Sequence, residues 1–515
     1  MSASSLVHLP LGQRIPDRPH AVSCSLPTMR DVVGYEEKDP AVTAHLVSGY
    51  PRFVVHPFLK QVAAALVLGS PALAGRSLWL CAGPAVAIDL HARLGARGDI
   101  LPLTAHLTAL ALPADADEDL INRARRHLQH TGAFASSRAA EDWLVAQGHL
   151  TAAAPETLFP GTPEAAADHV RRTLADHLGH GLPAAEVRLS PSGMAATYAA
   201  FQAVNAVQAP LGRTRWVQLG WLYLDSIAIL QKLTAAPVGD YLHHADVADL
   251  DGLARLLDAH DGRVAGVLAE VPTNPLVQTP ALAALAALCR ARGVALVVDP
   301  TIASVLNVDV LPHCDVVVTS LTKYTAGEGD VIYGASAVNP ASPLAPALRP
   351  ALAEAAALAP VYPRDTARLA AQIDAAPALV AAGNAAAARV ADFLRVHPRV
   401  AEVFWSGHAY SAHNYAALAR SPRAVGSMIT FSLRQTDGFT LARFYDRLRL
   451  AKGPSFGLSI SLICPFMYLA HYDLVTSAEG RAELARNGLD PDLLRLSVGA
   501  EPVEQIIAAL AEALA

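Results

Sequence analysis

The 515-residue chain is poor in aromatic residues, at 6%, and in charge, at 17% Asp, Glu, Lys and Arg. With 52% hydrophobic residues, that scarcity of charge excludes wholesale disorder and assures a sizeable core. Positive charge is in deficit. The net charge is −6 and the pI near 6.4, with no basic stripe of the kind a nucleic-acid binder needs. Cysteine is scarce too: Cys24, Cys81, Cys289, Cys314 and Cys464 are odd in number, far apart and in no CxxC or zinc spacing. Neither a disulfide framework nor a structural metal is expected, and a reducing, cytoplasmic compartment is the simple assignment. Residues 1–17, MSASSLVHLPLGQRIPD, lack a charged region followed by an apolar core, so no secretory signal is expected. The one long uncharged stretch, residues 453–472, contains Pro454, Ser455, Ser459, Ser461, Pro465 and His471. Those residues argue against a lipid-facing helix, so buried core and no membrane partner are expected.

What is present has a repeating logic. The length leaves room for two or three domains. Residues 1–50 read as polar and irregular. From Pro57 the pattern predicts helices over 60–69, 85–94 and 115–129 and strands over 77–82 and 99–104, a small α/β unit in its own right. Residues 151–163, with three prolines and Gly161, read as a linker. Beyond it, a helix over 163–180 leads into short apolar strands at 186–189, 216–220, 263–271, 294–299, 315–319 and 331–338, alternating with helices. That alternation predicts a mostly parallel sheet covered on both faces. An alanine-rich helical region over 364–396, broken at Pro377 and Gly383, precedes a smaller α/β unit with strands at 427–433 and 494–498 and helices at 441–450 and 504–514. The expected domains are 1–160, 161–375 and 376–515.

Four features converge on Lys323. It follows the strand DVVVT in the exit loop SLTK, beside Ser320 and Thr322; a desolvated lysine of lowered pKa there suits reaction with a carbonyl. Ser192, Gly193 and Met194 stand between a strand and a helix start, where backbone amides and the helix dipole make a phosphate cradle. Asp299 ends the apolar strand VALVVD, at the strand end where open α/β sheets bind ligands, and a protonated pyridine nitrogen is the cation that would keep it charged. Tyr223, in WLYLDS, offers a ring face for stacking. Arg495, on the otherwise apolar LLRLSVG, needs either a carboxylate ligand or an internal partner such as Glu501 or Glu504. Cradle, carboxylate, lysine and arginine in that order describe a pyridoxal-phosphate (PLP) site.

The motifs SGMAA (192–196), EVPTNPL (270–276), the strand-ending Asp299, SLTKY (320–324) and LRLSVG (494–499) together resemble the cystathionine gamma-synthase branch of the Cys/Met-metabolism PLP enzymes. PHAVSCSLPTMRDVVGYEEKDP (19–40), SGYPRFVVHP (48–57), YLDS (223–226), LNVDVLP (306–312), KGPSFG (452–457) and CPFMYLAHY (464–472) are similar to its long, fungal-type members, which carry an N-terminal extension. The resemblance implies a fold-type I transferase: a mixed, mostly parallel sheet between helices, with a smaller C-terminal α/β domain and an extra N-terminal one. By the same likeness Lys323 holds the cofactor covalently and Asp299 pairs the ring nitrogen, with Thr301 beside it. Tyr223 stacks and assists proton transfer, and Ser192, Gly193, Met194, Ser320 and Thr322 bind phosphate. Asn274 contacts the ring oxygen or the substrate, and Arg495 and Ser455 bind the substrate. A homodimer or homotetramer with active sites at the dimer interface is implied. Family members usually carry a Tyr-x-Arg or closely related Arg motif just before the cofactor domain; residues 156–174 here have no Tyr-x-Arg, and Arg171 and Arg172 fall on the following helix.

The family chemistry is loss of a proton at Cα and another at Cβ, expulsion of a γ-substituent, and then either addition of a thiol or γ-elimination. The expected reaction is cystathionine formation from an activated homoserine and cysteine. The altered Tyr-x-Arg region motivates an alternative on another γ-substituted amino acid, such as a halogenated one in natural-product biosynthesis. Two rival patterns are weak. GPSFG (453–457) fits a serine-hydrolase elbow at Ser455, but the segment before it reads as helix. His243 and His244 with Asp246 read as a surface turn rather than a metal site.

Overall fold

A computed structural model of the chain describes residues 6–49, 54–260 and 262–515. Numbered along the chain, its strands are β1 (Arg14–Ile15), β2 (Ser23–Cys24), β3 (Leu78–Cys81), β4 (Asp99–Thr104), β5 (Leu107–Ala111), β6 (Arg188–Ser190), β7 (Arg215–Leu219), β8 (Tyr241–His244) and β9 (Val264–Glu270). They continue as β10 (Ala295–Asp299), β11 (Val316–Ser320), β12 (Gly334–Val338), β13 (Val400–Phe404), β14 (Met428–Leu433), β15 (Ala451–Lys452), β16 (Leu462–Pro465) and β17 (Leu494–Ser497).

The central sheet has the order β6-β12-β11-β10-β9-β7-β8, parallel from β11 to β8, with β12 antiparallel to both its neighbours. All seven residues of β9 are buried, as a strand covered on both faces requires. Alternation does the sorting. Val316 and Val318 enter the apolar layer built on the Gly193–Gln208 helix, while Val317 enters the opposite layer with Val170 and Leu174. His243 and His244 lie on the edge strand β8, not in a turn, and the described residues contain no cluster that could hold a metal.

The C-terminal sheet, β13-β14-β17-β16-β15, is antiparallel except for the β15–β16 pair. The Ala376–Val396 and Val503–Leu514 helices pack into its apolar core with Phe431, Phe444 and Leu496. The expected breaks at Pro377 and Gly383 do not occur. The helix interruption lies at Ala371–Ala375, Pro377 opens the next helix, and Gly383 sits inside it. There a Cβ would come within 3.0 Å of the Ser427 side chain, so the glycine permits close approach rather than ending the helix.

Residues 6–49 are not irregular throughout. Thr28 and Asp31 form a reciprocal capping box at the start of the Met29–Glu36 helix. Its Met29, Val32 and Tyr35 join the core of the C-terminal sheet. Residues 57–146 build the three-stranded antiparallel sheet β3-β5-β4. Helices Pro84–Arg93 and Glu118–Thr131 pack on one face and Pro57–Gly69 and Ser137–Ala146 on the other. From 147 to 162 the chain has no helix or strand. An ion-pair network seats this unit on the central one. Buried Arg138 contacts Glu156 at 2.7 Å and Asp365 at 3.0 Å, and Arg364 contacts Glu141 and Asp142 at 2.6 Å each. All five cysteines are buried and unpaired with one another; among the described residues no helix is long and apolar enough to cross a membrane.

Candidate active site

The C-terminal ends of β9, β10 and β11 open into a cavity of about 220 Å³, lined among others by Glu270, Asn274, Asp299, Ser320, Lys323, Ser455 and Arg495. The register aligns Asp299 with Glu270, so two carboxylates end adjacent buried strands. Burial raises Asp299 to about 6, against hydrogen bonds from the Thr301 amide, at 2.8 Å, and hydroxyl that pull it down. Burial first, then the neighbouring Asp299 charge, pushes Glu270 well above the usual range, while Glu270 Oε1 accepts the Tyr223 amide at 2.5 Å. Thr301 does double duty: its hydroxyl also accepts the Ser320 amide at 2.9 Å, linking the carboxylate to the lysine loop.

Lys323 is 8% exposed. Burial, then the charge of Arg495, holds its amine well below the usual lysine range. Its Nζ donates to Ser455 Oγ at 3.1 Å and lies 4.9 Å from the Phe456 ring centre. Ser455 sits at φ +115°, a left-handed conformation that costs a residue with a Cβ. That bend turns the Ser455 hydroxyl to Lys323 and its carbonyl to Arg495 Nη2, at 3.3 Å. Gly457 closes the same loop: its carbonyl accepts the Tyr324 amide at 2.7 Å, and a Cβ there would sit 2.8 Å from that nitrogen. The hydrolase elbow is excluded in context: the motif follows the two-residue strand β15, itself preceded by the Leu441–Arg447 helix, but no helix opens behind the serine, and the serine's neighbour is a lysine.

Arg495 lies between Phe456 and Phe466, with its guanidinium 5.1 and 4.6 Å from their ring centres, and donates to Asn274 Oδ1 at 3.2 Å. Neither internal partner offered by the sequence takes it: Glu501 accepts from Ser461 and Glu504 pairs with Arg389. A guanidinium held by neutral groups in a cavity suits a carboxylate ligand.

The cradle is built at the start of the Gly193–Gln208 helix. Ser192 caps it, accepting the Ala195 amide at 3.0 Å while donating to the Gly132 carbonyl at 2.8 Å, so its hydroxyl is engaged within the protein. A Cβ on Gly193 would lie 2.6 Å from Ser320 Cβ, so only glycine brings the helix start this close to the lysine strand. Met194, Tyr223 and Ser320 line the cavity. Thr322 also borders it, but its hydroxyl bonds the Tyr333 amide and carbonyl at 2.9 and 3.3 Å. Helix-start amides, a buried carboxylate and a desolvated amine around one cavity fit PLP.

The sequence reading assigned no role to Glu270, although it ends VLAE as Asp299 ends VALVVD. It also passed over Phe456 and Phe466, and the whole wall contributed by His20, His56, Gln129, Gly132 and Arg138. Arg171 pairs with Asp168 on its own helix. Residues 50–53 of the SGYPRFVVHP motif lie outside the described residues.

The chain was compared with known proteins. The family model described as Cys/Met metabolism PLP-dependent enzyme matches residues 167–515. An L-2-amino-4-chloropent-4-enoate dechlorinase/desaturase from Streptantibioticus cattleyicolor is 40% identical, over 96% of this chain and 95% of that protein. Cystathionine gamma-synthase from Neurospora crassa is 27% identical, over 98% of each. The crystal structure of cystathionine gamma synthase from Xanthomonas oryzae pv. oryzae in complex with aminoacrylate and cysteine superposes with a TM-score of 0.57 at 25% identity, covering 68% of this chain and 85% of that one. The lysine-centred cavity thus belongs to a chain of the Cys/Met metabolism PLP-dependent enzyme family, on the fold-type I scaffold and among its cystathionine gamma-synthase-like members.

Proposed function

We propose that this enzyme carries out γ-elimination on a γ-chlorinated amino acid: chloride leaves Cγ, a proton leaves the carbon chain, and one more carbon–carbon π bond remains. The observation that carries this reading is the 40% identity to a dechlorinase/desaturase over nearly the whole of both chains, against 27% to the Neurospora crassa synthase. Within it, Gly193 and Met194 at the helix start, with Ser320, hold the cofactor phosphate, Asp299 with Thr301 the ring nitrogen, and Tyr223 the ring face. When bound, PLP supplies an electron sink that stabilises negative charge next to the substrate nitrogen.

The chain's own groups do the rest. Arg495, fixed by Asn274 and the Ser455 carbonyl, takes the substrate carboxylate. Lys323, whose amine burial holds well below the usual lysine range, accepts the proton from Cα and then moves one at Cβ. Ser455 Oγ steers the amine.

A second reading, cystathionine formation from an activated homoserine and cysteine, draws on the Neurospora crassa relative, matched over 98% of its length. A product assay by mass spectrometry separates the two. Purified enzyme receives 2-amino-4-chloropent-4-enoate, O-acetyl-, O-succinyl- or O-phosphohomoserine, each with and without cysteine. Chloride release and an unsaturated amino acid, indifferent to cysteine and abolished by Lys323→Ala, are expected. Turnover of homoserine esters alone, with cystathionine as product, would overturn the elimination reading.

A further inference from the structure

One wall of the cavity comes from residues far ahead of the cofactor-binding segment, and one turn of that wall touches both helix starts of the cradle. Gly132 ends the Glu118–Thr131 helix in the left-handed conformation, at φ +64°. Its carbonyl accepts the Ser192 hydroxyl at 2.8 Å. A Cβ there would fall 2.2 Å from Ser192 Oγ, 2.7 Å from Met194 Cβ and 2.8 Å from the Ala195 amide. Just before it, Gln129 Nε2 and His130 Nδ1 each lie 3.0 Å from Oδ1 of Asp225. Asp225 is 1% exposed, in the first turn of the Leu224–Lys232 helix, two residues after Tyr223. The other His130 nitrogen is 3.2 Å from Lys232 Nζ at the far end of that helix.

The four residues Gln129–Gly132 therefore grip the start of the Gly193–Gln208 helix and the start of the helix that presents Tyr223. Such a grip is what keeps helix-start amides and a stacking ring in one geometry before the ligand arrives. The ion pairs of Arg138 and Arg364 hold the same unit against the central sheet.

We propose that the N-terminal unit positions the cofactor cradle of its own chain, with Gly132, Gln129 and His130 as positioning residues, so that this wall of the active site is completed in cis. The proposal rests on the reading of Gly193, Met194 and Tyr223 as cofactor contacts.

The test uses full-length apoprotein. Dissociation constants for PLP and for inorganic phosphate are measured calorimetrically for wild type, Gly132→Val, the Gln129→Ala/His130→Ala pair and Gly95→Val, along with each thermal midpoint. Gly95 shares the left-handed backbone, at φ +75°, but a Cβ there meets nothing within 4 Å. It carries the conformational penalty without the contact. Gly132→Val and the double variant are expected to bind both ligands at least about tenfold more weakly, while Gly95→Val matches wild type. Equal affinities in all four, or an equal loss in Gly95→Val, would overturn the clamp. Cis completion is read from Arg364→Lys, which places an amine beside Asp142, across the same junction. Carbodiimide coupling of that pair should leave the chain at its single-chain mobility in denaturing electrophoresis, with the joined peptides found by mass spectrometry. A doubled mass would overturn the assignment in cis. Wild type that takes up no PLP would instead overturn the cofactor reading on which the clamp depends, and is read separately from the ratios between variants.

Discussion

Ser455 is the position where stability and catalysis should part. Its backbone is bent to φ +115°, and a side chain held there costs about 1–3 kcal/mol. Ser455→Gly removes that cost and gives back about 0.5–1 kcal/mol through the freer unfolded chain. Ser455→Ala keeps the strain. Gly should therefore exceed Ala in stability by roughly 0–2.5 kcal/mol, measurable as a pairwise difference in urea midpoint of the apoproteins. Both variants lose the acceptor that Lys323 Nζ uses at 3.1 Å. A hydrogen bond of this kind is worth about 0.5–1.5 kcal/mol, so kcat should fall about 2- to 12-fold in both. An acceptor favours the protonated amine, so its removal lowers the amine pKa further and the acid limb of kcat moves to lower pH. Full kcat in Ser455→Ala, or an alanine variant more stable than the glycine one, would refute the reasoning.

Three further outcomes are expected. Arg495→Lys keeps the charge but loses the fork between Asn274 and the Ser455 carbonyl; a loss of about 2–3 kcal/mol would raise KM about 30- to 150-fold with kcat little changed, in steady-state kinetics. Gly193→Ala places a methyl group 2.6 Å from Ser320 Cβ and should weaken PLP uptake about tenfold or more by equilibrium dialysis. Acid should loosen the N-terminal wall in two stages, followed as thermal midpoint against pH. Burial holds His56 down at about 4 against 6.5 in the open chain, so its contribution is lost as pH falls from 6.5 to 4. Burial raises Glu141, but His20, the Ala154 amide and Arg364 outweigh it and bring the carboxyl to about 2 against 4.5, so its contribution is lost as pH falls below 4.5. Glu141→Gln should flatten the second stage and, by removing a negative charge that favours protonated His56, extend the first to lower pH.

The Lys323 side of the cavity was legible because its residues sit at strand ends and helix starts, which short motifs reveal. Lys323 after DVVVT, Asp299 after VALVV and Gly193 before an alanine-rich helix are each local patterns, and all three meet at the cavity. Glu270 obeys the same strand-end logic, ending β9 beside Asp299. The opposite wall was not legible. His20, the Gln129–Gly132 helix end and Arg138 lie on three separate elements, and the partners Ser192, Asp225 and Asp365 are 60 or more residues from the groups they bind. No period or spacing carries such information. The capping box at Thr28 lies in a segment whose polar composition reads as irregular. Gly383 shows the converse error: a glycine read as a helix breaker lets its helix approach Ser427 and the Val498 carbonyl at the ends of the C-terminal sheet strands.

The five buried thiols have a practical bearing. Burial pushes Cys24, Cys81 and Cys289 up to about 12, and Cys314 and Cys464 upward as well. Almost none of their sulfur is thiolate at neutral pH, and reagents seek thiolate. A single cysteine engineered onto an exposed loop can then take a maleimide dye or spin label in the otherwise native background. Motions of the two walls across the cavity can be followed in solution with every original sulfur left in place.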